Sequence, residues 1–330
     1  MDSEVLIEVK QLSRHYPGNK DNNSVQNNFI AVDNISFSLQ RGEILGFLGP
    51  NGAGKSTTMK MLSGNLAPTL GSITIAGMDL MDNPTAAKAK IGYLPDTPPL
   101  YKELSVDEYL RYCAQLNRIS KNNLASALNT AKQRCGLSDY GKRIINNLSK
   151  GYQQRVGIAQ AIIHLPDIVI LDEPTVGLDP IQMVAIRQLI KDLGKSHSVL
   201  ISSHILPEIQ AICNNVQIIN QGKLVLKTSI EHLTQHMQTQ TLRFSCTQTI
   251  DAGLLEAISG VLTIEQEGNS ITMRYQADTQ KTTNITIAQQ VIILAQQHQW
   301  GLYEIYAQQQ SLEDIFISLT SNTDASGVSA

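Results

Sequence analysis

RGEILGFLGPNGAGKSTTMKMLSG, residues Arg41–Gly64, decides how the rest of the chain is read. Its centre, Gly49-Pro50-Asn51-Gly52-Ala53-Gly54-Lys55-Ser56, fits the pattern G-x-x-x-x-G-K-[ST] of a phosphate-binding loop. The context suits that chemistry. Glu43–Leu48 before it reads as a buried strand, and the helix opened at Lys55 has Gly64 to end it. Glycines let the backbone wrap a phosphate closely, so that successive N–H groups point at its oxygens. The helix start adds free N–H groups and the positive end of its dipole. Lys55 is placed to reach the β- and γ-phosphates, and Ser56 to hold Mg²⁺. These residues imply a chain that binds a nucleotide.

Working outward, two further apolar runs end in chemistry. Ile168–Leu171 (IVIL) is continuously apolar, as in a strand buried on both faces of a parallel sheet, and it delivers Asp172 and Glu173 ahead of Pro174. Adjacent acids at the end of a buried strand are costly without a partner, and Mg²⁺ is the natural one. Gly177-Leu178-Asp179-Pro180 then turns into a helix. Val199–Ile201 is a second buried strand and ends at Ser202-Ser203-His204. Ligands of an open parallel sheet lie beyond the carboxyl ends of its strands, so Gly49, Asp172-Glu173 and His204 are expected to converge.

A short strand, Ile91–Leu94, leads to Pro95-Asp96, and Pro98 and Pro99 force a non-helical loop carrying Leu100 and Tyr101. Ser105 and Glu108 have capping-box spacing for a helix to about Arg118, and a second helix is predicted over Asn122–Cys135 before Gly136. Residues 100 to about 165 thus read as a helical insert. At its end, Leu148-Ser149-Lys150-Gly151-Tyr152-Gln153-Gln154-Arg155 opens an apolar helix with Ser149 as N-cap. That helix start is a second potential anion site.

At the N-terminus, Val5–Lys10 and Asn34–Leu39 alternate as half-buried strands, as does Ser72–Ala76 further on. The polar Gly18–Asn28 reads as a hairpin tip. Tyr16, just before it, is either a strand-end tyrosine or a ring on which adenine stacks. From about Leu224 the composition changes and glutamine becomes frequent. Strand Thr241–Ser245, helix Ile250–Ser259, strands Val261–Gln266 and Ser270–Tyr275, helix Ile285–Gln297 and strand Leu302–Ala307 form a β-α-β-β-α-β order, a ferredoxin-like plan. A last helix is predicted over Ser311–Thr320, with a small, polar tail at 321–330.

The whole chain is consistent with this organisation. Its 330 residues suggest two domains, and 42% apolar with 17% charged residues is ordinary for a globular protein. A net charge of −3 argues against wholesale nucleic-acid binding. Cys113, Cys135, Cys213 and Cys246 are scattered, which suits reduced thiols and a cytoplasmic setting. The first ten residues lack signal-peptide character, and no apolar run is long enough to span a membrane. Any membrane part is therefore expected on another chain.

Together these stretches resemble the nucleotide-binding subunit of an ATP-binding-cassette (ABC) transporter, over residues 4 to about 225. GPNGAGKST (Gly49–Thr57) is similar to its Walker A loop, LSKGYQQR to its LSGGQ signature, and IVILDEP to its Walker B strand with the following glutamate. GLDP resembles the D-loop, His204 the switch histidine, and Tyr16 the aromatic that stacks adenine. The resemblance implies a P-loop NTPase cassette of α/β class, with a mixed-sheet core, an antiparallel β subdomain and the helical insert. It implies a cassette over residues 1–224, an accessory domain over 225–320, and kinship of the ending SLEDIFISLT with the ABC-2 exporter branch. Two departures stand out. Asp96 occupies the place of the family's Q-loop glutamine, where an acid still suits Mg²⁺ or its waters. Lys150 and Tyr152 replace Gly and Gln of the signature, while Ser149 and Gly151, the phosphate-facing pair, remain. The implied mechanism pairs two subunits head to tail on ATP, each nucleotide lying between one phosphate loop and the other subunit's Ser149–Gly151. Glu173 polarises the attacking water, His204 contacts the γ-phosphate, and a separate membrane permease receives the motion. A soluble ABC ATPase or an ATP-sensing module remain the alternatives. The kinase and GTPase classes of P-loop protein do not carry LSKGYQQR with the Asp172-Glu173 pair.

Overall fold

The computed structural model describes residues 4–17, 29–236, 240–248, 250, 252–275 and 282–308. The hairpin tip Gly18–Asn28, the last helix and the tail lie outside the described residues. The chain forms two compact units that divide after Ile230.

The first unit opens with an antiparallel sheet in the order β2-β1-β4-β5, formed by β1 (Val5–Tyr16), β2 (Phe29–Gln40), β4 (Leu70–Ile75) and β5 (Met78–Asp79). β1 and β2 run well past the alternating stretches that announce them. Register shifts around Leu12 and Arg14 break the alternation, yet pairing continues to Tyr16 opposite Phe29. Polar groups hold the irregular part: the Ser13 hydroxyl accepts from Asn34 N at 2.8 Å, and Ser36 Oγ from Gln11 N at 2.9 Å.

A six-stranded sheet carries the core in the order β10-β9-β3-β8-β7-β6. Its parallel strands are β3 (Ile44–Leu48), β6 (Ile91–Leu94), β7 (Ile168–Asp172), β8 (Ser198–Ser203) and β9 (Asn215–Asn220), and β10 (Lys223–Ser229) closes the edge antiparallel. Every residue of β3, β7 and β8 is buried, the pattern of strands covered on both faces. β10 carries this sheet past the shift in composition at Leu224.

Helix α1 (Lys55–Leu62) contributes Met59, Met61 and Leu62 to one core with Phe37 and Ile75 of the first sheet and Phe47 and Ile170 of the second. The rings of Phe37 and Phe47 join the layers at 5.5 Å. The other helices of this unit are α2 (Pro84–Lys88), α3 (Val106–Leu116), α4 (Lys121–Cys135), α5 (Lys150–Ile162), α6 (Pro180–Gly194) and α7 (Leu206–Ile212). α3 starts with the expected capping box between Ser105 and Glu108. α4 ends at Gly136 in the left-handed region. α5 lies against β6 so closely that a Cβ on Gly92 would stand 2.0 Å from Ala161 O.

The division falls after the first residue of α8 (Ile230–His236), and the second unit contains β11 (Gln240–Cys246), α9 (Ala252–Glu256), β12 (Val261–Glu267), β13 (Ser270–Tyr275), α10 (Thr282–Gln297) and β14 (Leu302–Gln308). Its antiparallel sheet has the order β12-β13-β11-β14, the ferredoxin-like arrangement. Phe244, Met273, Val291 and Trp300 form its own core.

Candidate nucleotide-binding site

The loop after β3 is shaped by what presses on it. A Cβ on Gly49 would lie 2.3 Å from Ile219 O, and one on Gly54, at φ +107, 2.5 Å from Ala31 O. Neither position admits a side chain. Ala53 is tied from both sides, its N donating to Pro50 O at 3.2 Å and its O accepting from Gly222 N at 3.0 Å. α1 starts at Lys55, so the first N–H groups of the helix open where the loop turns.

Lys55 is buried, and its Nζ donates to Gly49 O at 2.8 Å and Pro50 O at 3.1 Å. The same ammonium lies 3.2 Å from Glu173 Oε1, while Glu173 Oε2 lies 2.9 Å from His204 Nδ1. Glu173 follows the last residue of β7 in the left-handed region (φ 48), an uncommon conformation that concentrates at functional sites. Its N–H is fixed on Ser202 Oγ at 2.9 Å and Ser202 O at 3.2 Å.

Asp172 is fully buried. Its Oδ1 accepts from Ser202 Oγ at 2.5 Å and Ser56 Oγ at 3.2 Å, whereas Oδ2 is buried without a hydrogen-bond partner. Burial pushes this carboxyl above the usual carboxylate range, with the charges of Asp96 and Glu173 acting in the same direction and both hydroxyls opposing it. A buried carboxylate oxygen left over beside a hydroxyl suits a hard divalent cation. No cluster of three or more His, Cys, Asp or Glu among the described residues forms a ready-made cage. Mg²⁺ needs none, since it takes one or two carboxylates and completes its shell with waters and phosphate oxygens.

Lys55, Ser56, Asp96, Glu173 and His204 share one cavity of about 410 Å³, lined also by Asn51, Gly52, Gly54 and Thr57, and Asp172 reaches it through the Ser56 hydroxyl. The convergence expected from the strand ends is therefore present. Asp96 is exposed, and its Oδ1 accepts from Thr97 N at 2.8 Å. Tyr16 does not line the cavity. Its ring is stacked with Phe29 at 6.4 Å and carries the Arg14 guanidinium 4.8 Å from its centroid.

The signature stretch and Asp179 lie off this cavity and pack on each other. Ser149 takes the N-cap position of α5, but its exposed hydroxyl makes no cap bond. Gln182 covers Gly151, where a Cβ would meet Cδ at 2.7 Å, and Lys150 Nζ lies against Gly177. Asp179 caps α6, its Oδ1 accepting from Gln182 N at 2.8 Å. The Tyr152 hydroxyl accepts from Tyr140 at 2.8 Å, so this side chain is engaged within its own chain.

Sequence reading missed two participants. Phe29 lines the cavity, but it follows a long polar stretch and carries no motif. Glu208 is buried, and its Oε2 accepts from Thr175 Oγ1 at 2.6 Å and Ser203 Oγ at 2.9 Å. Its Oε1 lies 3.3 Å from Arg187. This carboxylate ties the turn after Glu173 to the residue before His204. A lone acid among the apolar residues of ILPEIQAI was its available signal.

Residues 32–176 match the protein-family model described as ABC transporter. The chain is 35% identical over 216 residues to the ABC transporter ATP-binding protein NatA of Bacillus subtilis, covering 65% of this chain and 88% of the relative. It is 37% identical over 230 residues to the bacitracin transport ATP-binding protein BcrA of Bacillus licheniformis, covering 69% and 71%. Among solved structures, an ATP-binding subunit of an ABC transporter superimposes with a TM-score of 0.59 at 31% identity, over 70% of this chain and 92% of that one.

Proposed function

This chain belongs to the ABC transporter family as an ATP-binding subunit that hydrolyses ATP, and on that premise we propose how its residues divide the work. The backbone of Gly49–Thr57 and Lys55 bind the β- and γ-phosphates. Ser56 and Asp172, with Asp96 directly or through water, hold Mg²⁺, which when bound neutralises charge on the phosphate oxygens. Glu173 orients the attacking water and draws on its proton, and His204 contacts the γ-phosphate. One observation carries this reading: the Glu173 carboxylate sits at the end of β7 between Lys55 and His204, on the cavity that Ser56 also lines.

Ser149, Lys150, Gly151, Tyr152 and Asp179 serve the nucleotide of a second copy in a head-to-tail homodimer formed on ATP. Their placement off their own chain's cavity and the uncommitted Ser149 hydroxyl support this. The second unit is an accessory domain. No helix among the described residues is long and apolar enough to cross a membrane, which supports a peripheral subunit docked on a separate permease at the cytoplasmic face. Export is the direction implied by the resemblance of the ending SLEDIFISLT to the ABC-2 exporter branch. The net charge of −3 supports the absence of a nucleic-acid partner.

The test is Ser149→Arg. ATP retention is expected to persist while Mg²⁺-dependent turnover falls about a hundredfold, because charge stabilisation from the opposing copy is lost. Turnover within a few-fold of the parent would mean that each cavity works alone. Tagged protein solubilised from its native membranes is expected to bring down an integral membrane chain.

A further inference from the structure

Behind the cation residues stands a phenol. Tyr93 lies on β6, paired in parallel with Ile170 of β7, and its backbone O accepts from Gln160 Nε2 at 2.8 Å. Its ring packs against the core that Met59 of α1 shares with Ile91, Ile168 and Ile170, so it occupies the α1 face of the sheet. Asp172 follows Ile170 by two residues and projects to that same face, where Ser56 of α1 donates to its Oδ1. Tyr93 and Asp172 are thus diagonal neighbours, roughly 7–8 Å apart, a span within reach of an aromatic side chain.

The two side chains have complementary needs. The Tyr93 hydroxyl is buried without a hydrogen-bond partner among the described residues, and so is Asp172 Oδ2. A buried donor and a buried acceptor left over on one face are each costly, and a single bond between them removes both costs. The phenol feels the aspartate: burial pushes its pKa up, and the charges of Asp172 and then Asp96 push the same way. The terminal torsion of an aspartate is soft, so a modest turn of the carboxyl presents Oδ2 to the hydroxyl. That oxygen keeps a second lone pair for a cation or one of its waters.

We propose that Tyr93 is a positioning residue of the cation site, its hydroxyl donating to Asp172 Oδ2 and fixing the orientation in which the carboxylate meets Mg²⁺. The inference rests on the reading of Asp172 as a Mg²⁺ residue and adds the donor that holds it. Ser202 and Ser56 steady one oxygen of the carboxylate, and Tyr93 steadies the other. Tyr93 acts only through Asp172.

Tyr93→Phe keeps the ring and removes only the hydroxyl, and it is compared with the parent and with Asp172→Asn. The probe is Mn²⁺, titrated by electron paramagnetic resonance onto each protein saturated with a non-hydrolysable ATP analogue. Tyr93→Phe is expected to raise the Mn²⁺ dissociation constant roughly tenfold, the loss of one hydrogen bond to a charged group, and to leave ATP retention in EDTA unchanged. In the Asp172→Asn background the same substitution is expected to add no further factor. Equal Mn²⁺ affinity in Tyr93→Phe and the parent, with a weakened Asp172→Asn, would overturn this proposal alone, as would full additivity of the two substitutions. Mn²⁺ affinity untouched by Asp172→Asn would overturn the reading of Asp172 and this proposal with it.

Discussion

His204 Nδ1 lies 2.9 Å from Glu173 Oε2, so the imidazole and the carboxylate act as one unit. The other carboxylate oxygen faces Lys55 Nζ at 3.2 Å. On the proposed division of roles, a γ-phosphate arriving at Lys55 and His204 would compete with Glu173 for both and free the carboxylate for a water, coupling binding to the arming of the base.

His204→Ala removes the imidazole and leaves the Lys55–Glu173 pair. ATP affinity is expected to change by no more than a few-fold, while kcat falls about a hundredfold or more, the range for a lost acid–base or charge-stabilising group. Steady-state kinetics separate the two effects. An unchanged kcat would remove His204 from the reaction.

Asp172 and Asp96 are tested through the cation. Asp172→Asn neutralises the buried oxygen that lacks a partner, behind Ser56, and Asp96→Asn removes the exposed acid that lines the cavity. Both variants are expected to need more Mg²⁺ for half-maximal turnover, Asp172→Asn by the larger factor. A Mg²⁺ titration coincident with that of the parent would assign Asp96 to work other than cation binding.

Glu208 braces the turn after Glu173 against the strand before His204 from a buried position. Glu208→Ala strands Thr175 and Ser203 and leaves Arg187 unpaired, at an expected cost of about 2 kcal/mol in urea unfolding of the first unit. Glu208→Gln should recover part of the stability and less of the turnover. Equal recovery of both would make the residue purely structural.

The parts of the site that could be read in the sequence are those whose chemistry is local. Gly49–Ser56 is a contiguous loop, and Asp172-Glu173 and His204 end runs apolar enough to announce buried strands. Glu208 was hidden because its meaning lies in Thr175, Ser203 and Arg187, which reach it only through the packing of α7 and α6. Phe29 was hidden because the bulged pairing of β1 and β2 obscures the alternation that places it opposite Tyr16. β9 and β10 were obscured because Gln217 and Lys227 interrupt strands whose partners lie far away in the chain.

One buried and one half-buried histidine, His197 and His164, give the fold an acid limit. His197 accepts from Arg134 Nη1 at 2.8 Å on Nε2, so its Nδ1–H donates to Pro166 O at 2.6 Å and the ring is neutral. Burial lowers its pKa below the ordinary 6.5, and does the same to His164. Below that pH the unfolded chain binds more protons than the folded one, so stability is complete above about 6.5 and declines as acid is added. The urea midpoint should fall between pH 7.5 and 5.5, and His197→Leu should flatten that fall. Parallel pH profiles for parent and variant would assign the acid sensitivity elsewhere.

The central claim is that Glu173 drives hydrolysis in a site completed by a second copy of the chain. Gel filtration with light scattering on Glu173→Gln, with and without ATP and Mg²⁺, tests it most directly, with turnover measured on the same sample. The expected result is retained ATP binding, turnover reduced at least about a hundredfold, and a monomer that becomes a stable dimer only with ATP. A variant that binds ATP, hydrolyses it within a few-fold of the parent rate and stays monomeric would contradict the account.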